Sequence, residues 1–174
     1  FLTDMFMLDI QYDSSKLVGV RTDEERIIMK SAVTTMHEAL KKAISLELDI
    51  DYNEINGGWR PRIENSGQSH IEMFFYDNLS SGAGYSSLIA EKLDKIIERA
   101  YTILRDCVCD RACKHCLDNY YNQRNHDLFD RNLGLQLLNY AVTGEMPEDY
   151  NASEQEDYLR PLKKLILEET ERET

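Results

Sequence analysis

The chain has 174 residues, 42% of them hydrophobic and 30% charged, which fits one compact domain with a hydrophobic core and excludes fibrous and disordered classes. Its formal net charge of −12 opposes broad contact with a phosphate backbone, so an isolated duplex-binding module is not expected. The sequence has neither the roughly 20 consecutive apolar residues of a membrane span nor a signal-peptide pattern, so we expect a cytoplasmic protein without a membrane partner. Because it starts at Phe1 in an apolar run, we expect a piece of a longer polypeptide.

The first half of the chain predicts two strands, a long helix and a third, short strand. Residues 4–10 alternate apolar and polar side chains, which indicates a strand with one buried face. Thr22 and Glu25 form a capping-box pattern before a helical apolar stripe, which predicts a helix from Asp23 to about Leu48. A short strand at residues 50–55, a polar loop rich in glycine and asparagine, and a strand at residues 71–77 follow.

The second half predicts helices. A glycine-rich turn precedes a long helix whose inner face runs from Tyr85 to Leu104, and a further helix is expected from Asp127 to about Val142. Together these elements predict an α/β (α+β) domain over residues 1–142, with a small mixed sheet covered by long helices. Residues 143–174 are predicted to form an acidic linker and a C-terminal helix, because residues 148–174 carry nine acidic against four basic residues, a net −5.

All four cysteines fall within ten residues, in the pattern C-x-C-x3-C-x2-C formed by Cys107, Cys109, Cys113 and Cys116. Four thiolates this close can converge on one tetrahedral ion, whereas disulfides between such near neighbours would be strained. Zinc is the first interpretation, in a closed and therefore structural site between two helices. An iron–sulfur cluster and free redox-active thiols are the alternatives.

A polar and aromatic loop follows the cysteines. Its aromatic, amide and basic side chains could stack on bases and bind phosphates, at Tyr120, Tyr121, Asn122, Gln123, Arg124, Asn125 and His126. The structural alternative packs the tyrosines beneath the cysteine loop and uses the amides as caps. Arg131, at the start of the next helix, could either brace the cysteine loop or contact phosphate.

The combined motif resembles the MrfA-type zinc-binding (MZB) domain family. The match consists of the four cysteines followed by Leu117, Tyr120, Asn122, Gln123, His126, Asp130 and Arg131, with Phe129 where the family has leucine. Upstream, Tyr76 and Asp77 precede S-S-G-A-G-Y, where the family usually has P-G-G-A-G-Y. The resemblance spans about residues 3–142.

The family occurs near the C-terminus of bacterial DEAD/DEAH-type helicases active in DNA repair, and in DrmB-like components of the DISARM anti-phage system. The resemblance therefore implies an accessory Zn²⁺ domain, with the four cysteines as ligands, whose partners are the remainder of a helicase-like protein, DNA, and other repair or defence proteins. No ATPase motif accompanies it, since the chain has no G-x4-G-K-[ST] loop.

Two further groups of residues invite a functional interpretation. Ser81, Gly82 and Gly84, between a strand and a helix, could present backbone N–H groups to a phosphate, although a tight turn also requires glycine. Asp51, Glu72 and Asp77, on or beside strands, could hold a divalent ion in a nuclease or another hydrolase. A third hypothesis, favoured by the net charge, is a pure protein-docking module.

Overall fold

The computed structural model describes residues 4–12, 22–64, 68–78 and 84–145. Three strands form an antiparallel sheet in the order β1-β3-β2, with β1 at Met5–Tyr12, β2 at Ile55–Ile63 and β3 at Ser69–Asp77. The helices are α1 (Asp23–Leu48), α2 (Tyr85–Glu91), α3 (Leu93–Arg105) and α4 (Arg131–Thr143). The expected α+β class is confirmed, but both strand pairs are antiparallel, so the sheet is not the mixed one that was predicted. No helix among these residues is both long enough and apolar enough to cross a membrane.

One face of the sheet packs on α1 and forms the core. Asp9 of β1 and Arg60 of β2 are both paired with Glu72 of the central strand β3. Because side chains alternate along a strand, the odd-numbered residues Ile71, Met73 and Phe75 of β3 share one face. These three side chains are buried together with Met36 and Leu40 of α1. The helices α3 and α4 pack on other sides of α1, which makes α1 the centre of the molecule.

The predicted beginning of α1 is confirmed atom by atom. Glu25 N–H donates to Thr22 Oγ1 and Thr22 N–H donates to Glu25 Oε2, both at 3.1 Å, which completes the capping box. At the other end, Asp49 adopts a left-handed conformation with φ of 55° and closes the helix.

The prediction of a strand at residues 50–55 is wrong. A short 3₁₀ turn occupies Tyr52–Glu54, and the strand begins at Ile55 and runs through the stretch predicted as a polar loop. Gly57 fits the sheet because a Cβ there would overlap the Phe74 carbonyl oxygen. Pro61 is tolerated because β2 lies at the edge of the sheet.

The helix boundaries in the second half also differ from the prediction. The long helix predicted across residues 85–104 is interrupted at Lys92, where φ is −106° and ψ is 15°, and whose ammonium donates to the Glu47 carbonyl at 3.0 Å. The last helix begins at Arg131 rather than Asp127, because Asp130 caps it by accepting from the N–H groups of Asn132 and Leu133. The predicted acidic linker and C-terminal helix lie outside the described residues from residue 146 onward.

Candidate metal centre

The four cysteines lie in an irregular loop between α3 and α4. Their Sγ atoms are all within 4.8 Å of one another. Four of the separations are 3.4 Å (Cys107 to Cys109), 3.6 Å (Cys107 to Cys113), 3.7 Å (Cys109 to Cys116) and 3.8 Å (Cys113 to Cys116). None of these cysteines is in a disulfide. Four sulfurs placed 2.3 Å from one zinc ion would be separated by about 3.8 Å, so the donor set fits a tetrahedral ion.

The backbone of this loop is shaped around the sulfurs. The N–H groups of Cys116, Leu117 and Asp118 all donate to the Cys113 carbonyl, at 3.0 to 3.1 Å, which forms a tight turn. Cys113 N–H donates to Cys116 Sγ at 3.2 Å. Such a bond disperses negative charge on a thiolate, as expected around a metal bound by sulfur.

The electrostatics of the loop differ from one cysteine to another. Backbone hydrogen bonds from Cys116 and His115 lower the pKa of Cys113 to about 6. Burial, with the neighbouring sulfurs, raises the pKa of Cys109, and burial also raises the pKa of Cys116. Full deprotonation therefore needs a cation among the sulfurs. With all four positions taken by thiolates, such a site leaves no position for a reactive water.

Two cationic side chains hold the loop through its carbonyl oxygens. Lys42 of α1 donates to the Cys116 carbonyl, and its ammonium lies 3.4 Å from the His115 carbonyl. Arg131 of α4 donates to the carbonyls of Cys109 at 2.5 Å and Leu104 at 3.4 Å. Sequence reasoning raised the bracing role of Arg131 but missed Lys42, which is 74 positions from its partner Cys116.

Asn122 is buried at the centre of a polar network beneath the loop. Its Nδ2 donates to Glu38 Oε1 at 2.7 Å, and its Oδ1 accepts from Asn119 N–H at 2.9 Å. His126 Nε2 lies 2.8 Å from the same Oδ1. The Tyr52 hydroxyl also donates to Glu38, and burial raises the pKa of that hydroxyl, with a further contribution from Glu38. The network therefore joins α1 to the cysteine loop.

The remaining predicted contact residues divide between surface and interior. Tyr120 and Tyr121 are 79% and 65% exposed, so the alternative that packs them beneath the cysteine loop is wrong. Gln123 and Arg124 are exposed as well, and His126 is half-buried. Of the predicted phosphate-binding turn, Ser81 and Gly82 lie outside the described residues. Gly84 is left-handed with φ of 75°, as a tight turn requires.

The acidic residues considered for a nuclease are not brought together. Within the described ranges, the only group of three or more histidine, cysteine or acidic residues placed to share an ion is the cysteine cluster. Glu72 and Asp77 are on opposite faces of β3, because side chains alternate along a strand. Glu72 is already neutralised by Arg60 at 2.6 Å and Arg62 at 2.5 Å, which together lower its pKa.

Comparisons with known proteins agree with this geometry. The chain is 36% identical over 151 residues, 84% of its length, to the Druantia protein DruE of Escherichia coli (strain UMEA 4076-1), and the matched region is 8% of that protein. It is similar in fold to the crystal structure of the DUF1998 helicase MrfA bound to DNA. That likeness has a TM-score of 0.50 at 17% identity and covers 70% of this chain and 15% of the helicase. Thus the chain spans a small part of either relative.

A family model described as the MrfA Zn-binding domain, MZB, matches residues 36–117, which include all four cysteines. The resemblance predicted from the cysteine motif is thereby confirmed over residues 36–117 of the 3–142 expected, and the four clustered sulfurs suit the Zn²⁺ that gives this family its description. Residues 36–117 are thus the region in which the chain is similar to the MrfA Zn-binding domain family.

Proposed function

We propose that the chain is a zinc-stabilised accessory domain of a larger helicase-type protein in anti-phage defence, and that it engages DNA or a partner protein through the loop after the cysteines. The resemblance to the MZB family, which occurs in components of an anti-phage system, supports the defence role. The fold likeness to a helicase bound to DNA supports the helicase setting. The matched region is 8% of DruE and 15% of the helicase MrfA, so ATP-driven work is assigned to other parts of the parent protein.

The observation that carries this proposal is the convergence of four sulfurs in a loop that has little regular structure of its own. Cys107, Cys109, Cys113 and Cys116 would hold the ion. The ion supplies structural cross-linking, which fixes the backbone from the end of α3 to the start of α4. The protein's own residues complete the brace, since Lys42 and Arg131 bind carbonyls on two sides of the same loop.

A fixed loop presents its surface in one conformation, so little entropy is lost through ordering of the loop when a ligand binds. Of the residues predicted to contact nucleic acid or a partner, Tyr120, Gln123 and Arg124 face solvent. Asn122 and Arg131 support the loop from inside. We assign contact to the first group and support to the second.

Metal content tests the zinc assignment. We expect elemental analysis of the purified chain to give about one zinc per chain, and a chelator to lower its thermal midpoint. Cys113→Ser should lose most of the zinc. His115→Ala is the matched control, because His115 is exposed between two cysteines, and the Ala variant should keep it. Iron in place of zinc, or full stability without metal, would contradict the proposal.

A further inference from the structure

Three tyrosine rings from two separate segments adjoin beside the cysteine loop, with Tyr120 and Tyr121 exposed and Tyr52 half-buried. Tyr121 stacks on Tyr52, with ring centroids 6.1 Å apart and planes at 23°. Tyr120 meets Tyr121 edge to face at 5.7 Å. The Lys41 ammonium lies 4.1 Å from the centroid of the Tyr52 ring. We call Tyr52, Tyr120 and Tyr121 the aromatic ledge.

Two rings of the ledge, Tyr120 and Tyr121, face solvent. Tyr120 and Tyr121 are among the most exposed large side chains of the described residues, and contiguous exposed apolar surface commonly marks a binding site. Their backbone is fixed from below, because the Asn119 side chain accepts from Tyr121 N–H at 2.8 Å and the neighbouring Asn122 is buried. The rings are therefore held outward by a preformed turn, which lowers the entropy lost when a ligand stacks on them.

The charges around the ledge define what it can bind. Residues 106–130 carry three exposed cationic side chains, Arg111, Lys114 and Arg124, and five acidic ones, namely Asp106, Asp110, Asp118, Asp127 and Asp130. A surface with this excess of acid gives no net attraction to the dense charge of a duplex. Flat aromatic faces with a few nearby cations instead suit unpaired bases, which stack on tyrosine while a cation reaches the backbone.

We infer that the aromatic ledge, with Lys41 and Arg124, is a stacking platform for single-stranded DNA. This inference rests on the proposed function, since a helicase-type parent would supply unpaired strands, and it names the ligand class of the loop that the metal stabilises. Stacking makes the binding tolerant of sequence, and the small number of cations near the rings makes its salt slope shallow.

Fluorescence anisotropy with a labelled oligothymidylate of about 12 nucleotides tests the inference on the zinc-loaded chain. Tyr120→Ala and Tyr121→Ala should each weaken binding about tenfold. Tyr121→Phe keeps the ring and should remain within about twofold of the parent affinity. Arg124→Ala should weaken binding about threefold and reduce the salt slope by about 0.7.

Two controls separate the ledge from general effects of fold and charge. Lys95→Ala removes an exposed cation of α3 that lies about 15 Å along the helix axis from Arg105, after which the cysteine loop begins. This variant should leave the affinity for the oligothymidylate unchanged. Zinc content and the thermal midpoint of every variant should equal those of the parent chain, because the two substituted rings are largely exposed.

Three outcomes would overturn the inference: no binding of the oligothymidylate at low salt, equal affinity for a duplex of the same length, or unchanged binding in Tyr120→Ala. With zinc present, each of these would leave the proposed accessory role standing, and only the absence of binding would favour a protein partner for the ledge. Absence of zinc from the parent chain would instead count against the proposed function itself.

Discussion

The helix–sheet core and the cysteine loop meet along α1 but are held by different interactions. In the core, Phe75, Met73 and Met36 are almost wholly buried, and regular backbone hydrogen bonds run through the sheet and the helix. In the loop, residues 106–130 contain only turns and a 3₁₀ helix at Tyr120–Leu128, and their positions depend on four sulfurs and on side chains that bind carbonyls. A protein can therefore place a rigid surface on a segment with little core of its own, provided that an ion replaces the missing packing.

Removal of metal should produce the largest difference between the two regions. We expect a chelator to abolish hydrogen-exchange protection in residues 106–130 first, while α1 and β3 stay protected at 25 °C with a lower thermal midpoint. The physical reason is that the loop's carbonyl and thiolate contacts need the sulfurs gathered, whereas the core buries apolar side chains without them. Added zinc should restore the protection. Loop amides that stay protected without metal would contradict this difference.

Truncation of Phe75 should produce the largest effect within the core. Phe75→Ala removes a ring that is 1% exposed and stacks on His37 with centroids 4.9 Å apart. We expect a loss of about 4 kcal/mol in the free energy of unfolding, measured by urea denaturation. Phe74→Ala is the matched control, because Phe74 is the same residue type on the opposite, half-buried face, and it should cost about 1 kcal/mol. Equal losses would disprove the assignment of faces.

The sequence predicted those parts of the fold that depend on local signals. The capping box at Thr22 and Glu25 and the apolar strand at β3 follow from neighbouring residues, and both are present in the structure. The strand β2 could not be predicted, because Gly57 and Pro61 are typical of loops and are accepted here only through the position of β2 beside β3. Local propensity is overridden by tertiary packing at such positions.

The candidate site shows the same limit. The four cysteines were evident from spacing, because metal ligands close together in sequence are close in space. The supports were not evident, since Lys42 and Glu38 belong to α1 and reach partners more than 70 positions away. Tyr52 was missed for the same reason, although it stacks on Tyr121. The position of a lysine or a glutamate on a helix does not indicate which distant carbonyl or amide group its side chain contacts.

Asn122 joins the two regions, so its replacement should weaken both. Asn122→Leu keeps most of the side-chain volume. It removes one hydrogen-bond donor to the buried Glu38 carboxylate and the contacts of the Asn122 side chain with Asn119 and His126. We expect a loss of about 3 kcal/mol in the free energy of unfolding of the zinc-loaded chain, because a hydrogen bond to a buried charged group is lost. Gln123→Leu changes the exposed neighbour and should stay within about 0.5 kcal/mol. A similar result for both variants would show that the network does not couple the loop to α1.

The smallest predicted effect is a pH dependence that arises in the core, at His37. Burial, together with the nearby charge of Lys41, lowers the pKa of His37 from 6.5 to about 4. The folded state therefore holds His37 neutral. Its contribution is complete above the unfolded pKa of 6.5 and is lost as the pH falls from there toward 4, because the unfolded chain then binds the proton more readily.

Between pH 7 and pH 5 this difference corresponds to about 2 kcal/mol. Urea denaturation of the zinc-saturated chain at both pH values measures it, with His37→Gln as the non-titrating reference. Carboxylates and cysteines titrate alike in the two proteins, so the excess loss in the parent chain isolates His37. Parallel stability curves for the two proteins would contradict the buried neutral histidine and move the acid sensitivity of the domain to the cysteine loop.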